Sequence, residues 1–231
     1  MKTIGLIGGM SWESTASYYR VMNELVKSAL GGLHSARVLL NSLDFAPLEV
    51  MQREGNWDGI AEELAQAAGR LEQGGADFIL MGTNTMHRVF SEVEQSVRVP
   101  VLHIADATAE VLLAEGVRRV GLLGTSFTME QSFYKGRLAA RHGLEVLTPE
   151  PADRKLVHGI IFQELCQGRI REESRQQYLG IMERLTESGA EAIVLGCTEI
   201  GLLVTPDDTD IPLYDTARIH AAKAVEWALR S

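Results

Sequence analysis

Cysteine is scarce in this 231-residue chain: Cys166 and Cys197 are the only two. Two thiols in a chain of this length do not make a disulfide framework, so the small bridged scaffolds of secreted proteins are set aside and a reducing, cytoplasmic setting is expected. Long apolar runs are missing as well. No stretch approaches about 18 uninterrupted apolar residues, so no membrane span is expected. The opening MKTIGLIGGMSWES is interrupted by Gly8, Gly9 and polar residues before a signal-peptide core could be complete. No basic run stands out against a net charge of −9, and without clustered Lys and Arg nucleic acid is not the expected partner. A few backbone donors could still hold a small anion. GLIGGM lacks the G-x-G-x-x-G of dinucleotide sites, and the six histidines show no metal-ligand spacing, so no metal is expected.

What is present is a globular composition, 45% hydrophobic and 23% charged, enough for a substantial core. Short apolar runs at 3–8, 36–43, 77–82, 100–103, 118–123, 144–147, 192–196 and 211–213 predict strands. Helical patterns fill 12–29, 56–74, 106–115, 128–142, 154–167, 171–188 and 215–229. Near-continuous apolar strands alternating with amphipathic helices indicate an α/β protein built on parallel sheets.

Three stretches recur in the same order. TIGLIGGMS from Thr3 is similar to RVGLLGTSF from Arg119, GADFILMGTNT from Gly75 to GAEAIVLGCTE from Gly189, and VPVLHIADA from Val99 to IPLYDTARI from Ile211. The near-constant spacing predicts a duplication. The first domain is expected over 1–105 with 211–231, and the second over 106–210. In this alignment Thr83 falls opposite Cys197, Asn84 opposite Thr198 and Thr85 opposite Glu199. All follow apolar strands, and the carboxyl ends of parallel strands are where ligands bind.

A thiol at such a strand end, near helix N-termini, could have its thiolate stabilised by backbone N–H groups. Cys197 fits this reading because its flanks are polar. Cys166, inside the helical pattern IIFQELCQG, reads as a small buried hydrophobe.

The duplicated halves, ILMGTNTMH, IVLGCTEIG and the opening IGLIGGMSWEST together resemble the cofactor-independent aspartate/glutamate racemase family along essentially the whole chain. The resemblance implies two flavodoxin-like domains related by pseudo-twofold symmetry, an active site in the cleft between them, and a homodimer. It also implies a cytoplasmic enzyme of D-amino acid metabolism that moves the α-proton of an acidic amino acid between two cysteines without metal or pyridoxal phosphate. Two bases are needed because one group cannot easily reach both faces of one carbon.

The sequence departs from that pattern at one decisive place. The family's first cysteine precedes Asn-Thr directly or with one residue between, and here those positions are Thr83 and Gly82. Thr83 and Cys197 are therefore the expected acid/base pair, with Thr83 suited to donating or relaying a proton and Cys197 to taking one. The resemblance implies a bias toward the L-enantiomer, since the second-half cysteine faces the α-hydrogen of that form. Asn84, Thr85 and Thr198 are candidates for gripping the α-carboxylate. Met10 and Ser11, with Thr125 and Ser126 at the matching turn, could offer donors to a distal carboxylate. Gln52 is preferred over Arg53 for reaching the substrate side chain. Glu199 could orient a donor or the substrate ammonium, or cap a helix, and His87 could sit behind Thr83 or serve packing. Two alternatives stay open: a maleate-type diacid isomerase in which cysteine attacks carbon, and a catalytically silent amino-acid-binding protein.

Overall fold

The computed structural model describes residues 1–230. Two compact units divide it, the first Met1–Ile104 with the C-terminal residues from His220, the second Ala105–Ile219. In the first unit the strands are β1 (Ile4–Gly8), β2 (Val38–Ser42), β3 (Phe78–Met81) and β4 (Val101–Leu102), all parallel, in the order β2-β1-β3-β4. Its helices are α1 (Trp12–Leu30), α2 (Phe45–Glu54), α3 (Trp57–Gln73) and α4 (Phe90–Ser96), the last preceded by a 3-10 turn over Thr85–Val89.

The helix α5 (Ile104–Ala114) leads into the second unit. There β5 (Arg119–Gly124), α6 (Ser126–Glu130), α7 (Ser132–His142), β6 (Glu145–Leu147), α8 (Pro151–Gln163), α9 (Glu172–Glu187), β7 (Ala192–Gly196), α10 (Ile200–Leu203) and β8 (Leu213–Asp215) follow. The sheet is again parallel, with order β6-β5-β7-β8. The last helix, α11 (Thr216–Leu229), carries the chain back to the first unit.

The strand pattern follows from burial. β1, β3 and β7 are covered on both faces and are apolar along their whole length, whereas the edge strands β2 and β6 mix half-buried and exposed positions. β8 pairs with β7 through Ile193↔Leu213 and Val194↔Tyr214. That ladder keeps it in the second unit, and the chain rejoins the first at His220 rather than at the 211 set from sequence. α11 then packs through the buried small face Ala221, Ala224, Val225 and Ala228. Ala228 O accepts from Lys2 N at 2.8 Å, and Trp227 meets Phe78 edge-on at 5.5 Å.

The structure differs from the sequence reading in several places, the short helices α4 and α10 and the 3-10 turn over Thr85–Val89 among them, since no predicted pattern covered these. The helix α2 has only Leu48 and Gln52 buried, too few to make a periodic stripe. It is set by its ends: Asp44 accepts from Ala46 N at 3.2 Å and Gly55 closes it in the left-handed region at φ 76°. The pattern over 128–142 is two helices, because Gln131 is extended at φ −87°, ψ 156°. The pattern over 154–167 ends at Gln163, so Cys166 lies in a 3-10 turn, Leu165–Gln167, half-buried rather than buried in a helix. Among the described residues no helix is long and apolar enough to cross a membrane.

Candidate active site

Each unit ends its central strands in a polar cluster. In the first, β1 runs into Gly8-Gly9-Met10-Ser11. Gly9 has φ 87°, and a Cβ there would stand 2.0 Å from Leu43 O, so the turn admits only glycine. Thr15, one turn into α1, accepts from Gly9 N at 2.7 Å and donates to Ser11 O at 2.8 Å. Ser11 caps α1 by accepting from Ser14 N at 3.3 Å, and Ser14 reaches Gly82 O at 3.5 Å. Hydroxyls on the first turn of α1 thus stitch the β1 turn to the end of β3.

At that end Thr83 N bonds back to Met81 O at 2.9 Å and the chain turns into Thr85–Val89. Thr83, Asn84 and Thr85 are all buried, as are Met10 and Ser11. Gln52 is 4% exposed on the inner side of α2. Its neighbour Arg53 is turned outward, its side chain 67% exposed and paired with Glu49 at 3.7 Å. Of the two, only Gln52 faces the interior.

In the second unit β5 ends at Gly124, and Thr125 caps α6 by accepting from Thr128 N at 3.3 Å. The Thr125 oxygen is therefore already part of the helix start. Ser126 N donates to His158 Nδ1 at 3.2 Å. β7 ends at Gly196, followed by Cys197, Thr198 and Glu199, all buried.

Strand register places the two clusters on a common footing. Ile7 pairs with Met81 in the first sheet and Leu123 with Leu195 in the second. Thr83 and Cys197 each stand two residues beyond the β3 or β7 member of these pairs, at equivalent positions of their own units.

The chemistry at Cys197 is set by Glu199. The Cys197 thiol donates to Glu199 Oε2 at 3.0 Å, and the Thr198 hydroxyl donates to the same oxygen at 2.8 Å. Although Glu199 precedes α10, its side chain makes no capping bond, so the capping alternative is set aside. Burial pushes the thiol well above its ordinary value, and the Glu199 charge adds to this. Burial first, with nearby acidic groups adding to it, holds Tyr178 protonated well above the usual phenol range. The Glu199 backbone N–H acts in the direction expected from sequence, toward the thiolate, but burial and the Glu199 carboxylate outweigh it. In the free protein Cys197 is a thiol hydrogen-bonded to a carboxylate, because its side chain is turned into the buried acid two residues on. Glu199 is the site residue that sequence reasoning left undecided; its signal was a carboxylate in a strand-end cluster where every other side chain is neutral. Among the described residues, no group of three or more His, Cys, Asp or Glu side chains is placed to hold a metal ion.

Comparison with known proteins matches this arrangement to a family. The model of the Asp/Glu/hydantoin racemases matches residues 7–224. A Yersinia pestis structure provisionally assigned as an Asp/Glu racemase is 50% identical with a TM-score of 0.93, both chains covered in full. PH1733 of Pyrococcus horikoshii OT3, an aspartate racemase homologue, is 37% identical with a TM-score of 0.86, again over the whole of both chains. The broad specificity amino-acid racemase RacX of Bacillus subtilis is 21% identical over 98% of each chain. Two parallel four-stranded sheets, polar clusters at equivalent strand ends and a match that spans nearly the full length lead to one statement: the chain belongs to the Asp/Glu/hydantoin racemase family.

Proposed function

We propose that this protein is an amino-acid racemase acting on aspartate or glutamate by direct α-proton transfer, with Cys197 as base, Thr83 as acid for the same α-carbon, and a bias toward the L-enantiomer. The observation that carries the reading is the Cys197–Glu199 hydrogen bond of 3.0 Å at the end of β7, at the position equivalent to Thr83. A buried thiol is a poor base until its proton has somewhere to go, and Glu199 is a carboxylate already in contact with it.

The step balances without a cofactor. The Cys197 proton passes to Glu199, and the thiolate takes the α-proton of the L-substrate. The electron pair of the broken C–H bond moves into the α-carboxylate, whose oxygens gather the charge, and Asn84, Thr85 and Thr198 are the donors assigned to them. Met10, Gln52 and Thr125 are assigned to the substrate side chain. On the opposite face the Thr83 hydroxyl gives its proton to the α-carbon while taking one from solvent, since a free alkoxide is far too basic to persist near neutral pH, and Glu199 releases the proton it took to solvent, so that the site is reset.

Racemisation has an equilibrium constant of one, so a bias cannot mean a faster reaction in one direction only. It means that exchange at the L face, through Cys197, outruns complete inversion, which needs Thr83. The test is to incubate each enantiomer of aspartate and glutamate with the protein in D₂O and follow the α-hydrogen by NMR. L-substrates should exchange faster than D-substrates, and Cys197→Ser should slow that exchange by about a hundredfold or more. Equal exchange of D- and L-glutamate would overturn the bias, and undiminished exchange in Cys197→Ser would overturn the base assignment. A covalent adduct on Cys197 in mass spectrometry would instead favour the diacid isomerase.

A further inference from the structure

We infer that His87 is the positioning residue for Thr83, and that its contact with the Thr83 carbonyl governs how often proton removal ends in inversion. The inference rests on the reading of Thr83 as the proton donor. His87 sits one helical turn beyond Thr83 and is 2% exposed. Its Nε2 lies 3.2 Å from Ile104 N and its Nδ1 2.7 Å from Thr83 O. A backbone N–H can only donate, so Nε2 is the acceptor and the ring proton is on Nδ1, which donates to the Thr83 carbonyl. Both ring nitrogens are thereby satisfied, as a buried polar side chain requires. An apolar residue would have filled the same space.

The ring is also held sideways. Phe90 lies parallel to it at 5.9 Å, His103 is tilted against it at 4.5 Å, and His220 meets its edge at 6.0 Å. His220 is itself tied to the Tyr18 hydroxyl and to Leu102 O, each at 3.0 Å. The imidazole therefore cannot turn without breaking two hydrogen bonds and displacing this stack. What it anchors is the residue where the β3 ladder has already ended. The direction of the Thr83 carbonyl fixes the Thr83 backbone and with it the Cα–Cβ bond from which the hydroxyl projects. An error of about 1 Å in such a group is enough to lower a rate by about two orders of magnitude.

The experiment follows L-glutamate and L-aspartate in D₂O and measures the ratio of inverted product to deuterated L-substrate. Exchange at the L face needs Cys197 with Glu199 and not Thr83, while inversion also needs Thr83. Loss of folded protein lowers both together and leaves the ratio unchanged. His87→Leu should lower the ratio by about tenfold or more. His87→Asn places an amide where Nδ1 stood and should recover most of the ratio. His87→Gln reaches the Ile104 N–H but not the Thr83 carbonyl and should not. A ratio that stays at the wild-type value in His87→Leu, or that Gln restores and Asn does not, overturns the inference. If His87→Leu does not fold, as judged by circular dichroism, the Asn and Gln pair decides. Thr83→Ala is the control for the underlying reading: if it leaves inversion intact, the assignment of Thr83 fails, whereas a loss in Thr83→Ala without a loss in His87→Leu sinks only the role of His87.

Discussion

At the scale of single residues, the decisive pair is Cys197 and Glu199. Burial raises the thiol most and the Glu199 charge next, and a substitution can separate these two. Glu199→Gln removes the charge and leaves the burial. Alkylation of Cys197 by iodoacetamide should then move to lower pH, since a thiolate no longer stands beside an anion. Exchange at the L face should nevertheless fall by about a hundredfold, because the thiol proton has lost its acceptor. Unchanged exchange with shifted alkylation would reduce Glu199 to an electrostatic bystander. The identity of this pair was half legible in sequence. Cys197 stands out by its repeat partner and polar flanks, but whether Glu199 capped α10 or bonded the thiol depends on one side-chain rotamer, which no local pattern encodes.

Among the elements, α11 shows how a helix is tied to a sheet that begins more than 200 residues earlier. His220 stands near its start, buried, with Nε2 donating to Leu102 O, so that Nδ1 accepts from the Tyr18 hydroxyl. Burial lowers its pKa from 6.5 to about 4. The native state therefore holds it neutral, and the unfolded chain takes up a proton first as the pH falls. Its stabilisation is complete above pH 6.5 and is lost between there and about 4, amounting to roughly 3 kcal/mol. Urea unfolding of the wild type should weaken over this window more steeply than that of His220→Gln, which keeps a side-chain donor but cannot titrate. Equal slopes would show that other groups carry the acid sensitivity. The helix itself was legible from its pattern, and so were the inner strands β1, β3 and β7, because burial on both faces demands continuous apolar runs, whereas the half-buried edge strand β8 lies at Leu213–Asp215, shifted from the 211–213 read from sequence. The helix α2, which positions Gln52, was not, since two buried residues leave no stripe and its evidence lies in Asp44 and Gly55 at its ends.

For the whole molecule, the discontinuity of the first unit carries a prediction. Its C-terminal segment contributes the Lys2–Ala228 backbone bond, the Phe78–Trp227 contact and the buried Val225. Burial of Val225 alone stands for about 1.5–3 kcal/mol. Truncation after Ile219 should therefore strip amide-exchange protection from β1 and β3 while leaving β5 and β7 protected, because the second unit is continuous in sequence. Equal loss in both sheets would mean that the two units do not fold as separate cooperative blocks.

Sequence alone determined that this is a duplicated α/β chain with polar clusters at the ends of corresponding strands. Apolar runs, glycine turns and repeats are local features, and Thr83 opposite Cys197 could be counted off without coordinates. The tertiary structure alone decided the protonation of that site and the way its parts are held. Cys197 is a thiol because burial and Glu199 disfavour its anion, and the proton of His87 is on Nδ1 because Ile104, 17 residues away, donates to the other nitrogen. Charge state and tautomer depend on which groups meet in space, and the order of residues along the chain does not specify those meetings.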